Sequence, residues 1–75
     1  PATGNTMIVV KTQQAAAINL TISNMLGQQV YTSQEMANAA GAYTFNVNVS
    51  DFNTGVYFYT VTVGDKSVSK KMIVK

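Results

Sequence analysis

Apolar and polar residues alternate with a period of two along most of the chain. Between Ala17 and Ser23, Ile18, Leu20 and Ile22 fall on one face and Asn19, Thr21 and Ser23 on the other, the pattern of a half-buried strand. Tyr43 to Val49 repeats it, with Tyr43, Phe45, Val47 and Val49 against Thr44, Asn46 and Asn48. Thr6 to Thr12 is rich in β-branched residues and follows a Gly-Asn turn signal, so it predicts a strand able to bury either face. Val56 to Val63 carries bulky residues on both faces, which suits a central strand. Gly64-Asp65 stands where a two-residue hairpin turn of primed type would stand. Lys66 to Val74 is then its partner strand, with Val68, Lys70, Met72 and Val74 on one face. Lys70 is out of keeping there, which predicts either a bulge near it or a lysine that snorkels from the sheet's margin.

The segments between these strands are less regular. Asn24-Met25-Leu26-Gly27 breaks the alternation, and Gly27 suits the positive φ that closes such a turn. Gln28 to Thr32 reads as a short strand with Val30 inward. Ser33 to Ala40 has helix-tolerant composition but spans only about two turns, and is expected to be a loop holding one turn of helix or a short edge strand. Ser50 to Gly55 is turn chemistry with Phe52 folded under it as a plug. Together these make an all-β fold of six to seven strands: a small antiparallel β-sandwich, Ig-like, with two sheets face to face.

Composition supports one folded domain over residues 1–75. Hydrophobic residues make up 47% of the chain and charged residues 11%, too apolar for disorder. No apolar run approaches the length of a membrane-spanning helix. A chain this short buries only about 60 to 65% of its unfolded surface, and without cysteine it has no disulfide to add cohesion. Pro1-Ala2-Thr3-Gly4-Asn5 lacks a signal-peptide pattern, and Pro1 is read as a cut inside a longer chain.

Histidine and cysteine are both absent, which removes the Ser-His-Asp and Cys-His arrangements and the thiolate and imidazole metal ligands. Glu35, Asp51 and Asp65 are the three carboxylates. They stand in separate loop regions, so neither a paired-carboxylate site nor a cation cage is expected. A Ser-Lys dyad of Ser67 or Ser69 with Lys70 or Lys71 would need a desolvated lysine, which a position near a chain end does not favour. The glycines lack phosphate-cradling spacing. Tyr57, Phe58 and Tyr59 are read first as core bulk and second as a stacking platform for a sugar or base. No enzyme activity, cofactor, metal or nucleic-acid partner is expected.

The net charge of +2 comes from lysine alone, and Lys66, Lys70, Lys71 and Lys75 crowd the last ten residues. Lysines on an edge strand prevent edge-to-edge aggregation, and they can equally mark a recognition surface.

Three stretches together resemble a known family. Pro1-Ala2-Thr3-Gly4-Asn5 is similar to the tail of an Asn-Pro entry turn whose Asn is missing here. Ser23-Asn24-Met25-Leu26-Gly27-Gln28-Gln29-Val30 is similar to a strand end and turn, and Gly55-Val56-Tyr57-Phe58-Tyr59 through Gly64-Asp65-Lys66 to Lys71-Met72-Ile73-Val74-Lys75 to a strand, hairpin and lysine-bounded ending. The family is the C-terminal sorting domain, type A, of the type IX (Por) secretion system, and Gly27, Gly55 and Gly64 fall on its turn glycines. Ser33 to Ala40 carries no family signature.

The resemblance implies a signal that directs an N-terminal cargo domain through the periplasm of a Gram-negative bacterium and across its outer membrane, to the cell surface or the medium. Its partners would be an outer-membrane translocon and a sortase-like peptidase that cuts upstream of the folded module. The expected recognition element is the final strand, Lys70, Lys71, Met72, Ile73, Val74 and Lys75, offering backbone groups for strand addition and lysines for an acidic partner. A weak homodimer by strand exchange is expected at high concentration. The rival readings are an Ig/fibronectin-like or carbohydrate-binding accessory module and a structural stalk, the latter lying inside a chain and not at its end.

Overall fold

A computed structural model describes residues 4–74. Among them are six strands and no helix: β1 (Asn5–Thr12), β2 (Ala16–Asn24), β3 (Gln29–Ala37), β4 (Gly41–Asn48), β5 (Gly55–Val63) and β6 (Lys66–Val74). All pairings are antiparallel. They form a two-stranded sheet, β1-β4, and a four-stranded sheet in the order β3-β2-β5-β6, the small β-sandwich that the alternation predicts.

The core assembles from rows of inward-facing side chains that the register brings together. In the larger sheet Ile18, Leu20 and Ile22 of β2 stand opposite Val63, Val61 and Tyr59 of β5. The three β2 residues are completely buried, at 0% exposure, because β2 has a strand on each side and the smaller sheet above it. In that smaller sheet Ile8 and Val10 of β1 pair with Phe45 and Tyr43 of β4. Ile8, Val10, Phe45, Val47 and the following Val49 are all buried. The outward positions of β1 are Met7, Val9 and Lys11, all exposed.

Local hydrogen bonds close the connections. The buried Thr12 donates its hydroxyl to the Gln14 carbonyl at 2.7 Å and turns β1 toward β2. Val49 N–H donates to the Gly4 carbonyl, tying the chain's entry to the end of β4. Phe52 packs against the core with its ring 5.2 Å from that of Tyr57, as a plug should. No buried side-chain polar atom lacks a partner among the described residues, as a folded interior requires.

One expectation is corrected, and one choice between alternatives is decided. Val30 points outward at 40% exposure, and Tyr31 packs on the core in its place. The cause is a register shift: Ile22 pairs with Tyr31 but Ser23 with Gln29, so Val30 is the extra residue of a bulge, which re-aims the side chains on either side of it. Of the alternatives for Ser33 to Ala40, the edge strand holds over most of the length, since Ser33 to Ala37 continue β3 at the margin of the larger sheet. Its helix-tolerant composition yields to pairing with β2, which also buries Ala37.

Truncating the fully enclosed Leu20 to alanine is expected to cost about 2 to 5 kcal/mol, enough to unfold much of a marginal domain. Val30→Thr should change stability by less than about 0.5 kcal/mol. Urea titration followed by circular dichroism measures both; equal effects would contradict the observed facing of β3.

Candidate functional site

The last two strands form a hairpin whose geometry starts at Gly64. Its φ is +60°, and no described non-glycine residue has positive φ, so Asp65 takes a negative one. Glycine first and a negative φ second is the type II′ turn, whose twist matches that of paired strands. Pairing then runs without a shift from Val63 opposite Lys66 to Gly55, the first residue of β5, opposite Val74. There is accordingly no bulge at Lys70, and of the two alternatives for that residue the marginal, solvated lysine holds.

β6 is an edge strand, hydrogen-bonded to β5 on one side only. Its C-terminal end is anchored: Val74 is buried at 3% exposure and Met72 packs against the core opposite Tyr57. Tyr57 is fixed in turn by its hydroxyl, which donates to the Asn53 carbonyl at 2.7 Å. Around these anchors Lys70, Lys71 and Ile73 are exposed. Of the expected recognition residues, Met72 and Val74 therefore hold the strand in place while Lys70, Lys71 and Ile73 present its surface. Lys75 lies outside the described residues, as do Pro1, Ala2 and Thr3 of the entry stretch.

The turn between β2 and β3 is built around Asn24. Its side-chain oxygen accepts from the N–H groups of Leu26 and Gln28 at 2.9 and 3.0 Å, and its amide donates to Gln28 Oε1 at 2.9 Å. Gly27, at φ +82°, supplies the left-handed residue that lets the chain reverse within this frame.

A groove runs between β1 and the β5–β6 hairpin. It encloses about 700 Å³ where Ile8 and Val10 face Val61, Val63 and Val68, and a further 310 Å³ opens beside Met7 and Met72. Val68 lies in the inward row of β6, opposite Val61, yet is 56% exposed. Lys11, Lys66 and Lys70 stand along this groove, with Asp65 as its acidic neighbour. Reading the sequence alone did not reveal this groove; its one trace is Val68 in the same inward row as Lys70, where an apolar and a charged side chain cannot both be covered.

The chemistry available is slight. Ser67, Ser69, Lys70 and Lys71 are all exposed, so no lysine among them has the desolvation a Ser-Lys dyad needs. Asp51 lies in the β4–β5 connection and Asp65 in the hairpin turn, as expected, but Glu35 lies not in a loop but on β3, which pairs with β2; no metal-binding group of side chains occurs among the described residues. Tyr57 and Tyr59 face the core, while Phe58 faces outward at 42% exposure, which leaves no cluster of aromatics to stack on a ligand.

The family model described as secretion system C-terminal sorting domain matches residues 1–75, the whole sequence. The chain belongs to that family. No curated protein and no solved structure gives a match. A type IX sorting domain is a secretion signal and not a member of an enzyme family, and it implies a secreted or cell-surface parent. In this sorting domain Gly27 and Gly64 occupy turns, Gly55 instead opens β5 as a strand residue, and β6 is the exposed edge just described.

If lysine guards that edge, Lys70→Val should leave the urea midpoint nearly unchanged but promote self-association. Light scattering across a concentration series is expected to show a rise in mass for the variant at concentrations where the parent stays small. Identical behaviour of the two would assign Lys70 no protective role.

Proposed function

We propose that this domain is the C-terminal address of a larger secreted protein, that it takes its N-terminal cargo from the periplasm across the outer membrane, and that a sortase-like peptidase then removes it. Docking on the outer-membrane translocon occurs at β6. The observation that supports this reading is the form of that strand: anchored through Met72 and Val74, unpaired along its outer edge, and carrying Lys66, Lys70 and Lys71. An unpaired edge offers a row of N–H and C=O groups to a partner strand. Lysines flanking it steer an acidic partner into register and discourage neutral strands that would otherwise aggregate there.

A signal of this kind needs no reaction centre. What it needs is a shape that persists through export, so that the partner meets a preformed edge and not a chain it must order itself. The anchored C-terminal end of β6 and the type II′ turn at Gly64 supply that persistence. Lys70, Lys71 and Ile73 can then be changed without opening the core, which separates recognition from folding.

In a full-length cargo, the double charge reversal Lys70→Glu with Lys71→Glu is expected to lower arrival at the cell surface at least about tenfold while the purified domain keeps its circular dichroism spectrum. Deleting Met72 to Lys75 should also block arrival, but with loss of folding, because Val74 leaves the core. Cargo that reaches the surface undiminished in both variants would refute the reading.

A further inference from the structure

We propose that the groove between β1 and β6 is a binding site for one extended segment of a partner protein, with alternating apolar and acidic residues, which pairs with the free edge of β1 and completes the smaller sheet. The proposal rests on the sorting reading only for the biological setting of that partner; the site itself follows from the fold.

An immunoglobulin-type sandwich sets three strands against four. Here two are set against four, and the connections decide where the vacancy falls. The short β3–β4 link places β4 on the β3 side of the sandwich, and the residues that β1 shares a groove with are those of β5 and β6. The uncovered strip is therefore the inner side of β6 and the adjoining part of β5. Its side chains record this. Inward positions that lack a cover are polar at Glu35 on β3 and at Lys70 on β6, which is what solvent asks for. Val68 is the exception: it is apolar, inward and more than half exposed, and it continues an apolar wall through Val61 and Val63.

The occupant's chemistry can be read from the two walls and the rim. The unpaired edge of β1 asks for an extended backbone, since alternate N–H and C=O groups of an edge strand point away from its single partner. The floor asks for apolar residues at every second position, because a strand laid along β1 turns alternate side chains toward Val61 and Val68. The rim lysines, Lys11, Lys66 and Lys70, against Asp65 alone, ask for acidic residues near the mouth. A second copy of this chain fits the rim poorly, because its edge strand β6 brings three lysines and no carboxylate and its edge strand β3 brings the single carboxylate Glu35.

The probe is a labelled peptide of about ten residues, the length of a strand, with alternating valine and glutamate, titrated into the isolated domain. Fluorescence anisotropy is expected to show saturable binding that weakens at least about tenfold for a valine-lysine peptide and for Val68→Glu. New amide protection should appear on alternate residues of β1. Circular dichroism keeps misfolding of Val68→Glu apart from loss of binding, and because Val68 is exposed the fold should persist. Binding that is absent, indifferent to peptide charge, or protective of β6 alone would overturn the proposal, and so would sedimentation showing that the peptide acts only by dissociating a dimer. Failure here would leave the sorting reading intact, since that reading stands or falls on cargo arrival after the Lys70 and Lys71 reversals.

Discussion

A layer of two strands spans about 5 Å from axis to axis, and a layer of four about 14 Å, because hydrogen-bonded neighbours sit roughly 4.8 Å apart. The smaller sheet of this domain can therefore shelter only the middle of the larger one. Ile18, Leu20 and Ile22 lie in that middle and lose all contact with water; the rest of the molecule is organised by what remains outside it. The inward rows of the edge strands β3 and β6 admit charge at Glu35 and Lys70, the anchors of β6 are confined to Met72 and Val74, and a groove stays open beside β1. With no disulfide and 75 residues, stability rests on the sheltered rows, and exposure at the edges is what the proposed partner-binding role draws upon.

Much of this fold is legible in the sequence because the relevant signals are local. The period of two in β2 and β4, the Gly-Asp pair before β6 and the Asn-to-Gly turn after β2 each determine structure within a few residues. The facing of Val30 was not legible, and Ser33 to Ala37 was legible only as a choice between loop and edge strand, for a different reason. Their facing depends on a bulge opposite Ile22 and Ser23 and on the capacity of β2 to take a second neighbour, and both are properties of the sheet. A weakly patterned segment takes the structure of the strand it meets.

The site divides along the same line. The lysine excess at the chain's end and the hairpin that carries it are visible in the residues, and so is the conflict at Lys70. Which residues anchor and which present themselves becomes clear only with the register, which sets Val74 against Gly55 and Met72 against Tyr57. The groove needed one further fact, the number of strands in the covering layer. Sorting-domain membership thus stands beside a fold that offers an anchored strand with a free margin.

Native-state amide hydrogen exchange on the isolated domain tests most directly whether β6 is held on one side and open on the other. The account predicts slow exchange at consecutive positions of β2 and β5, and in β6 an alternation in which amides bonded to β5 are protected and those between them exchange at rates close to an open chain. Uniform protection along β6 would mean its margin is already covered, and uniform lack of protection that the strand is detached; either result contradicts the account.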